Sequence, residues 1–263
     1  MIDHPIATGR GRRFVVAGLA VAVVLALSAC ATGPNANPRD PLEPMNRGVS
    51  RFNEDLDDVL LRPTATFYRD TVPPLVRTGV SNFFGNIGDA WSTVNNLLQF
   101  KVQFAAESLM RFSVNTTIGM LGVLDVASDM NLERHREDFG QTLGRWGIPA
   151  GPYVVLPLLG PSTLRDTAAL PIDWRGDITT HVSPDAARNT LIGLRVIDVR
   201  TNLLRASDVL EGAALDKYSF TRDAYLQRRR AEIFDSGKEE NSDDGSDKEE
   251  APAASPPAAP ASR

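Results

Sequence analysis

Cys30 is the sole cysteine of the 263-residue chain, and it closes the run Leu27-Ser28-Ala29-Cys30. One thiol allows no intramolecular disulfide and no cysteine-based metal site, so noncovalent packing must hold everything downstream of it. The same thiol follows a leader in which Arg10, Arg12 and Arg13 precede an apolar stretch, Phe14 to Leu27, too short to cross a bilayer comfortably as a helix. Ser28 and Ala29 are small enough to admit a signal peptidase, and Cys30 is placed to accept a diacylglycerol as a thioether. We therefore expect residues 1–29 to be a lipoprotein signal peptide and Cys30 to carry the anchor, since two or more acyl chains attach a protein stably where one is marginal. Ala31 rather than aspartate after Cys30 resembles the default signal for sorting to the outer membrane, which puts the protein on that membrane's periplasmic side.

Charge is distributed unevenly. The whole chain carries a net charge of −5, but residues 235–263 hold eight acidic against three basic side chains, leaving the remainder close to neutral. A near-neutral body lacks the clustered basic surface that nucleic acid requires. The same segment runs from acidic residues into Ala, Pro and Ser, a composition that buries too little apolar surface to offset its ordering entropy, so we expect a disordered tail.

Between these ends the chain reads as one domain, residues 40–234, preceded by a flexible tether at 30–39. Asp40-Pro41-Leu42-Glu43 has the spacing of a helix start, with Asp40 as N-cap and Glu43 completing a capping box; Phe52, Leu56, Val59 and Leu60 follow on one face. After Pro73-Pro74, apolar residues from Val80 to Leu98 recur at spacings of three and four, predicting helix interrupted near Gly85 and Gly88. Phe112 to Ala127 is mostly apolar yet shorter than a spanning helix, as a buried or half-inserted hairpin would be. The glycines between 140 and 160 argue against regular helix there. Ser183-Pro184-Asp185 opens another helix with a stripe of Ile192, Val196, Val199 and Leu203, and a last helix is predicted over Leu215 to Phe234. With no alternating strand pattern, the expected class is all-α, without a transmembrane span.

Catalytic patterns fail one by one. Gly160-Pro161-Ser162-Thr163-Leu164 lacks the second glycine of a nucleophile elbow, no phosphate-cradling loop or H-E-x-x-H occurs, and His135 and His181 are too few for a histidine metal site. His135, within Arg134-His135-Arg136-Glu137-Asp138, reads as part of a solvated loop, and Asp138-Phe139-Gly140 lacks every other kinase element. Asp89, Asp125, Asp166 and Asp173 are explained by helix caps or loop hydrogen bonds. The expectation is a non-enzyme with no cofactor and no metal.

A colinear series of motifs spans residues 40 to 230. It runs through Asp40-Pro41-Leu42-Glu43-Pro44-Met45-Asn46-Arg47, Phe52-Asn53, Arg62-Pro63, Asn82-Phe83-Phe84-Gly85-Asn86 and Asn95-Asn96-Leu97-Leu98-Gln99. It continues through Arg111-Phe112-Ser113-Val114-Asn115-Thr116, Asp138 to Gly144, Gly151 to Pro157, Gly160 to Asp166, then Tyr218, Arg222 and Ala224-Tyr225-Leu226. The series resembles the VacJ/MlaA family. The resemblance implies a ring-like bundle of amphipathic helices with a central channel, sunk in the inner leaflet of the outer membrane and associated with a trimeric porin. It further implies removal of phospholipid mislocated in the outer leaflet, handed to a periplasmic MlaC-type carrier and recovered by an inner-membrane ABC transporter. Two other classes stand beside it: a structural lipoprotein that tethers a porin, and a phospholipid hydrolase for which no nucleophile and base are found.

Two groups of residues are candidates within that scheme. Asn115, Thr116 and Asp125, interleaved with Ile118, Leu121 and Leu124, offer the mixed wall a lipid channel needs, or else hydrogen-bond within the fold. Gly119 and Gly122 serve either as hinges of a gating hairpin or as points of close packing. On the last helix Tyr218, Arg222, Tyr225 and Arg229 share one face, either a docking site for the carrier or a solvated basic face.

Overall fold

The computed structural model describes residues 40–213 and 216–234. The signal peptide, Cys30 and its lipid, the tether and the C-terminal tail lie outside the described residues. Nine α-helices and one short hairpin make up the rest: α1 (Glu43–Leu56), α2 (Arg62–Thr71), α3 (Pro74–Leu98), α4 (Val102–Thr117), α5 (Val126–Asp129), α6 (Phe139–Arg145), β1 (Tyr153–Leu156), β2 (Gly160–Thr163), α7 (Leu164–Gly176), α8 (Asp185–Ala213) and α9 (Lys217–Phe234). Neighbouring elements form a closed circuit, from α1 and α2 to α8, α3, α6, α7 and the hairpin, whose β1 returns to α1. No helix among the described residues is long and apolar enough to cross a membrane.

Several local outcomes differ from the sequence expectations, each for a physical reason. Asp40 caps nothing: α1 begins without a side-chain cap, while the buried Asp40 carboxylate accepts from Asn46, Tyr218 and Arg222. Pro63 lacks an N–H and crowds the preceding turn, and α1 passes into α2 through a π-helical turn, Asp57–Leu61. Helix α3 runs unbroken through Gly85 and Gly88, and the Arg134 guanidinium fills the space a Cβ would need at Gly85. Phe100, at φ 62°, takes the left-handed position that ends α3, and Lys101 N–H bonds to the Asn96 carbonyl, folding α4 back as a helical hairpin.

The two strands were not predicted. β1 and β2 pair antiparallel in the register Tyr153 to Thr163 and Leu156 to Gly160. The free edge of β1 is completed by side chains of α1: Asn46 donates to the Tyr153 carbonyl and accepts from Val155 N–H, and Asn53 does the same for Leu156 and Leu158. Two asparagines seven residues apart thus stand in for a third strand. Around them Tyr153, Val155 and Tyr218 form a small apolar core with Val49, Tyr225 and Leu226.

Elsewhere the packing is inverted. Buried polar and charged side chains outnumber buried apolar ones by more than two to one, and four of the buried apolar residues are alanines. In α3, Asn86, Asp89, Ser92, Thr93, Asn95 and Asn96 are buried while Val94 and Leu97 are uncovered. In α8 the stripe Ile192, Val196, Val199 and Leu203 is uncovered, whereas Asp198 and Thr201 are buried. In α1 and the π turn, Phe52, Val59 and Leu60 are exposed while Asn46 is buried. Leaving a large apolar side chain half uncovered in water forgoes part of the about 1.5–3 kcal/mol that full burial contributes. Repeated along three helices, that arrangement favours surroundings that are themselves apolar.

Candidate functional site

The sequence-predicted segment 115–125 leads to a charged cluster inside the protein. Arg111, on the buried face of α4, is 1 % exposed and reaches both Asp125 oxygens at 2.8 and 3.0 Å, Ser128 Oγ, and the Leu132 carbonyl. Its Nε lies 3.5 Å from Asp89, a buried mid-helix carboxylate of α3, and Arg134 Nε lies 3.1 Å from the same group. Asn115 donates to Asp125 at 2.9 Å and its carbonyl oxygen accepts from Ala127 N–H, tying α4 to α5. Burial would raise the Asp125 carboxyl, but hydrogen bonds from Ser128 and Asn115 and the charges of Arg111 and Arg134 outweigh it and hold the group down to about 2. Asp89 goes the other way, raised by its burial against the weaker opposing pull of Arg134 and Arg111.

A cavity of about 470 Å³ opens beside this cluster, lined by Arg111, Asp125, Ser128, Asn131, Leu132, Glu133 and Arg134. The loop 118–124 borders it in sequence and is apolar outward: Ile118, Met120, Leu121, Val123 and Leu124 are all exposed. A charged recess and a greasy flap are therefore joined through Asp125 and Asn115.

Of the sequence candidates, Asn115, Thr116, Gly119, Gly122 and Asp125 come together here, with Thr116 accepting from the Asn86 amide at 2.9 Å. Both glycines are contact points. A Cβ at Gly119 would stand 2.2 Å from the Leu124 carbonyl oxygen, and one at Gly122, where φ is +94°, would stand 2.4 Å from Asn86 Cβ. Gly122→Ala is expected to cost about 2–4 kcal/mol through backbone strain plus overpacking. Gly88→Ala, at a mid-helix site with open space around it, should instead stabilise by about 0.5–1 kcal/mol. Denaturation of the two variants in detergent checks the contrast, and equal effects would refute it.

The face of α9 is a correction. Tyr218 and Arg222 are buried, and Tyr225 and Arg229 are mostly covered, so the face is neither open for docking nor solvated. Each points at a carboxylate: Tyr218 and Arg222 at Asp40, Tyr225 at Asp166 (2.9 Å), and Arg229 at Asp166 (3.0 Å) and both Asp138 oxygens (2.7 Å). Burial, reinforced by the neighbouring carboxylates, raises both phenols, so each stays protonated and donates. Burial likewise pushes Tyr153 up to about 12. Asp166 also binds Arg165, and Asp138 caps α6 in a capping box with Gln141. The helix is a clasp that joins Asp40 to the hairpin, α6 and α7.

His135 also departs from expectation. It packs between Phe104, stacked at 4.1 Å, and Glu107, 2.6 Å from its Nε2, rather than lying in solvent. Of the four aspartates, Asp125 does cap a helix, α5, and Asp173 accepts from Trp91 Nε1 and Phe139 N–H. Asp89 and Asp125 are linked through two arginines, which the sequence reading passed over. An arginine between Met110 and Phe112 in an otherwise apolar stretch was the available signal for Arg111.

The motif series and this fold coincide with known proteins. A family profile described as MlaA lipoprotein matches residues 38–232. The chain belongs to the MlaA lipoprotein family. It is 36 % identical over 220 residues to the intermembrane phospholipid transport system lipoprotein MlaA of Escherichia coli K12, covering 81 % of this chain and 86 % of that one. The Shigella flexneri protein of the same name is 35 % identical over 227 residues, with the same coverage of each chain. A solved structure described as the structural basis for maintenance of bacterial outer membrane lipid asymmetry aligns at TM-score 0.66 and 35 % identity, covering 74 % of this chain and 98 % of that one. The circuit of amphipathic helices is thus an MlaA fold.

Proposed function

We propose that this protein is an outer-membrane lipoprotein of an intermembrane phospholipid transport system and maintains lipid asymmetry. Anchored through Cys30 on the periplasmic side, it takes phospholipid mislocated in the outer leaflet through an amphipathic channel bordered by the segment 115–125. It then passes the lipid to a periplasmic carrier of the MlaC type, which supplies an inner-membrane ABC transporter, and it works beside a trimeric porin. In this scheme residues 1–29 are removed, 30–39 tether the body, 40–234 handle lipid, and 235–263 form an acidic, Pro- and Ala-rich tail.

The supporting observation is the inverted packing, apolar side chains uncovered around a polar interior. Such a body suits a single leaflet, with acyl chains against the outside and a route for a polar headgroup within. Gly119 and Gly122, tightly packed as they are, sit at the base of the apolar flap that would open and close that route.

The test is the phospholipid content of the outer leaflet in cells lacking the protein, complemented with wild type or Cys30→Ala. Surface phospholipid should accumulate in the deletion, be cleared by wild type and persist with the variant. No accumulation would sink the conduit reading in favour of a structural lipoprotein that tethers a porin, and fatty-acid release by purified protein would revive the hydrolase.

A further inference from the structure

Among the described residues, Glu133 lines the cavity with an exposed carboxylate that makes no hydrogen bond or ion pair. Next to it Arg134, a fifth exposed, pairs Nε with Asp89 and donates from Nη2 to Asp125 at a long 3.5 Å, while its Nη1 packs over Gly85 without a hydrogen bond, so the guanidinium keeps donor capacity. Arg111, by contrast, is 1 % exposed with both Nη atoms hydrogen-bonded inside the protein, and belongs to the scaffold. The lining therefore holds two guanidinium groups and two carboxylates, Asp125 and Glu133, with the carboxylate of Asp89 behind them.

An anion site would carry an excess of cations, and this recess carries none. A phosphate alone, approaching Arg134, would meet the repulsion of Asp125 and Glu133. A zwitterion satisfies both signs at once, and the volume lies within the range of small-ligand pockets, about 300–1,000 Å³. A primary ammonium can donate charge-assisted hydrogen bonds to a free carboxylate, whereas a quaternary one has no N–H to give.

We infer that the cavity binds the headgroup of a zwitterionic aminophospholipid, with the phosphate at Arg134 and the ammonium at Glu133. The inference rests on the conduit reading and adds a headgroup preference to it. The tails would lie along the exposed flap formed by Ile118, Met120, Leu121, Val123 and Leu124.

The experiment is a competition between phosphatidylethanolamine and phosphatidylglycerol of matched chains for the purified full-length lipoprotein in detergent, read by native mass spectrometry. Wild type should favour the ethanolamine lipid about two- to fivefold, the ratio that an exposed charge pair supplies. Glu133→Gln should erase the preference, and Glu133→Lys should turn it toward phosphatidylglycerol; neither side chain supports the fold, which circular dichroism verifies. Equal occupancy in wild type, or a preference that survives both substitutions, overturns the headgroup assignment while leaving the conduit intact. Absence of any bound phospholipid overturns both. Free phosphoethanolamine separates lipid from soluble ligand, since saturation by it at the lipid's own concentration overturns the lipid assignment.

Discussion

Arg111→Met is expected to destabilise the protein by about 3–5 kcal/mol, because it strips a buried cation from the ionised Asp125 and from the more deeply buried Asp89. Methionine matches much of the stem, so little of the loss comes from packing. The pH dependence separates this cause from a cavity. In wild type the depressed Asp125 contributes stability that is present above the ordinary aspartate range and is lost as pH falls toward about 2. In the variant the carboxylates no longer have Arg111 to favour ionisation, so protonation relieves the unpaired charge. The gap between wild type and variant should therefore narrow as pH falls from 5 to 3 (roughly, across the aspartate range) in denaturant titrations. A gap independent of pH would mean that Arg111 acts by bulk alone.

Asp166→Ala is the second large effect, again about 3–5 kcal/mol, and it should be local before it is global. One carboxylate receives Arg165, Tyr225 and Arg229, and only Arg229 retains a second partner of opposite charge in Asp138 and Glu232. Losing it frees α9 from α7, so limited proteolysis should cut within residues 217–234 while the helical hairpin α3–α4 stays protected. Arg228→Ala, at a pair 71 % exposed on the arginine side, should change stability by less than about 0.5 kcal/mol and leave the cleavage pattern unaltered. If both variants behave alike, the clasp does not hold the end of the chain.

The helices were legible in the sequence because period is independent of which side faces the core. The stripes in α3 and α8 have the spacing of three and four in either medium. Their direction was not legible: in a water-soluble helix such a stripe faces inward, whereas Val94, Leu97, Ile192 and Val196 are all uncovered. The recurring asparagines of α3, Asn86, Asn95 and Asn96, opposite valine and leucine on the same helix, are the sequence signal of that inversion. The hairpin was hidden because the free edge of β1 is hydrogen-bonded by Asn46 and Asn53, more than a hundred residues away. The candidate site was half legible for the same reason. Asn115, the glycines, Asp125 and Arg134 are close in sequence, whereas Asp89, on α3, reaches them only through tertiary packing.

The polar interior also sets an unusual thermal character. Exposing apolar surface raises heat capacity by about 0.45 cal/K/mol per Å², and exposing polar surface lowers it by about 0.26. Unfolding in detergent that stays bound to the apolar side chains would hydrate mostly amides, hydroxyls and ion pairs, since much of the hydrocarbon surface lies outside the fold. Its heat-capacity increment per residue should fall below the about 12–15 cal/mol/K of water-soluble domains, flattening the stability curve. Resistance to temperature would then vary slowly with heating and owe more to the surrounding amphiphile than to a core of its own.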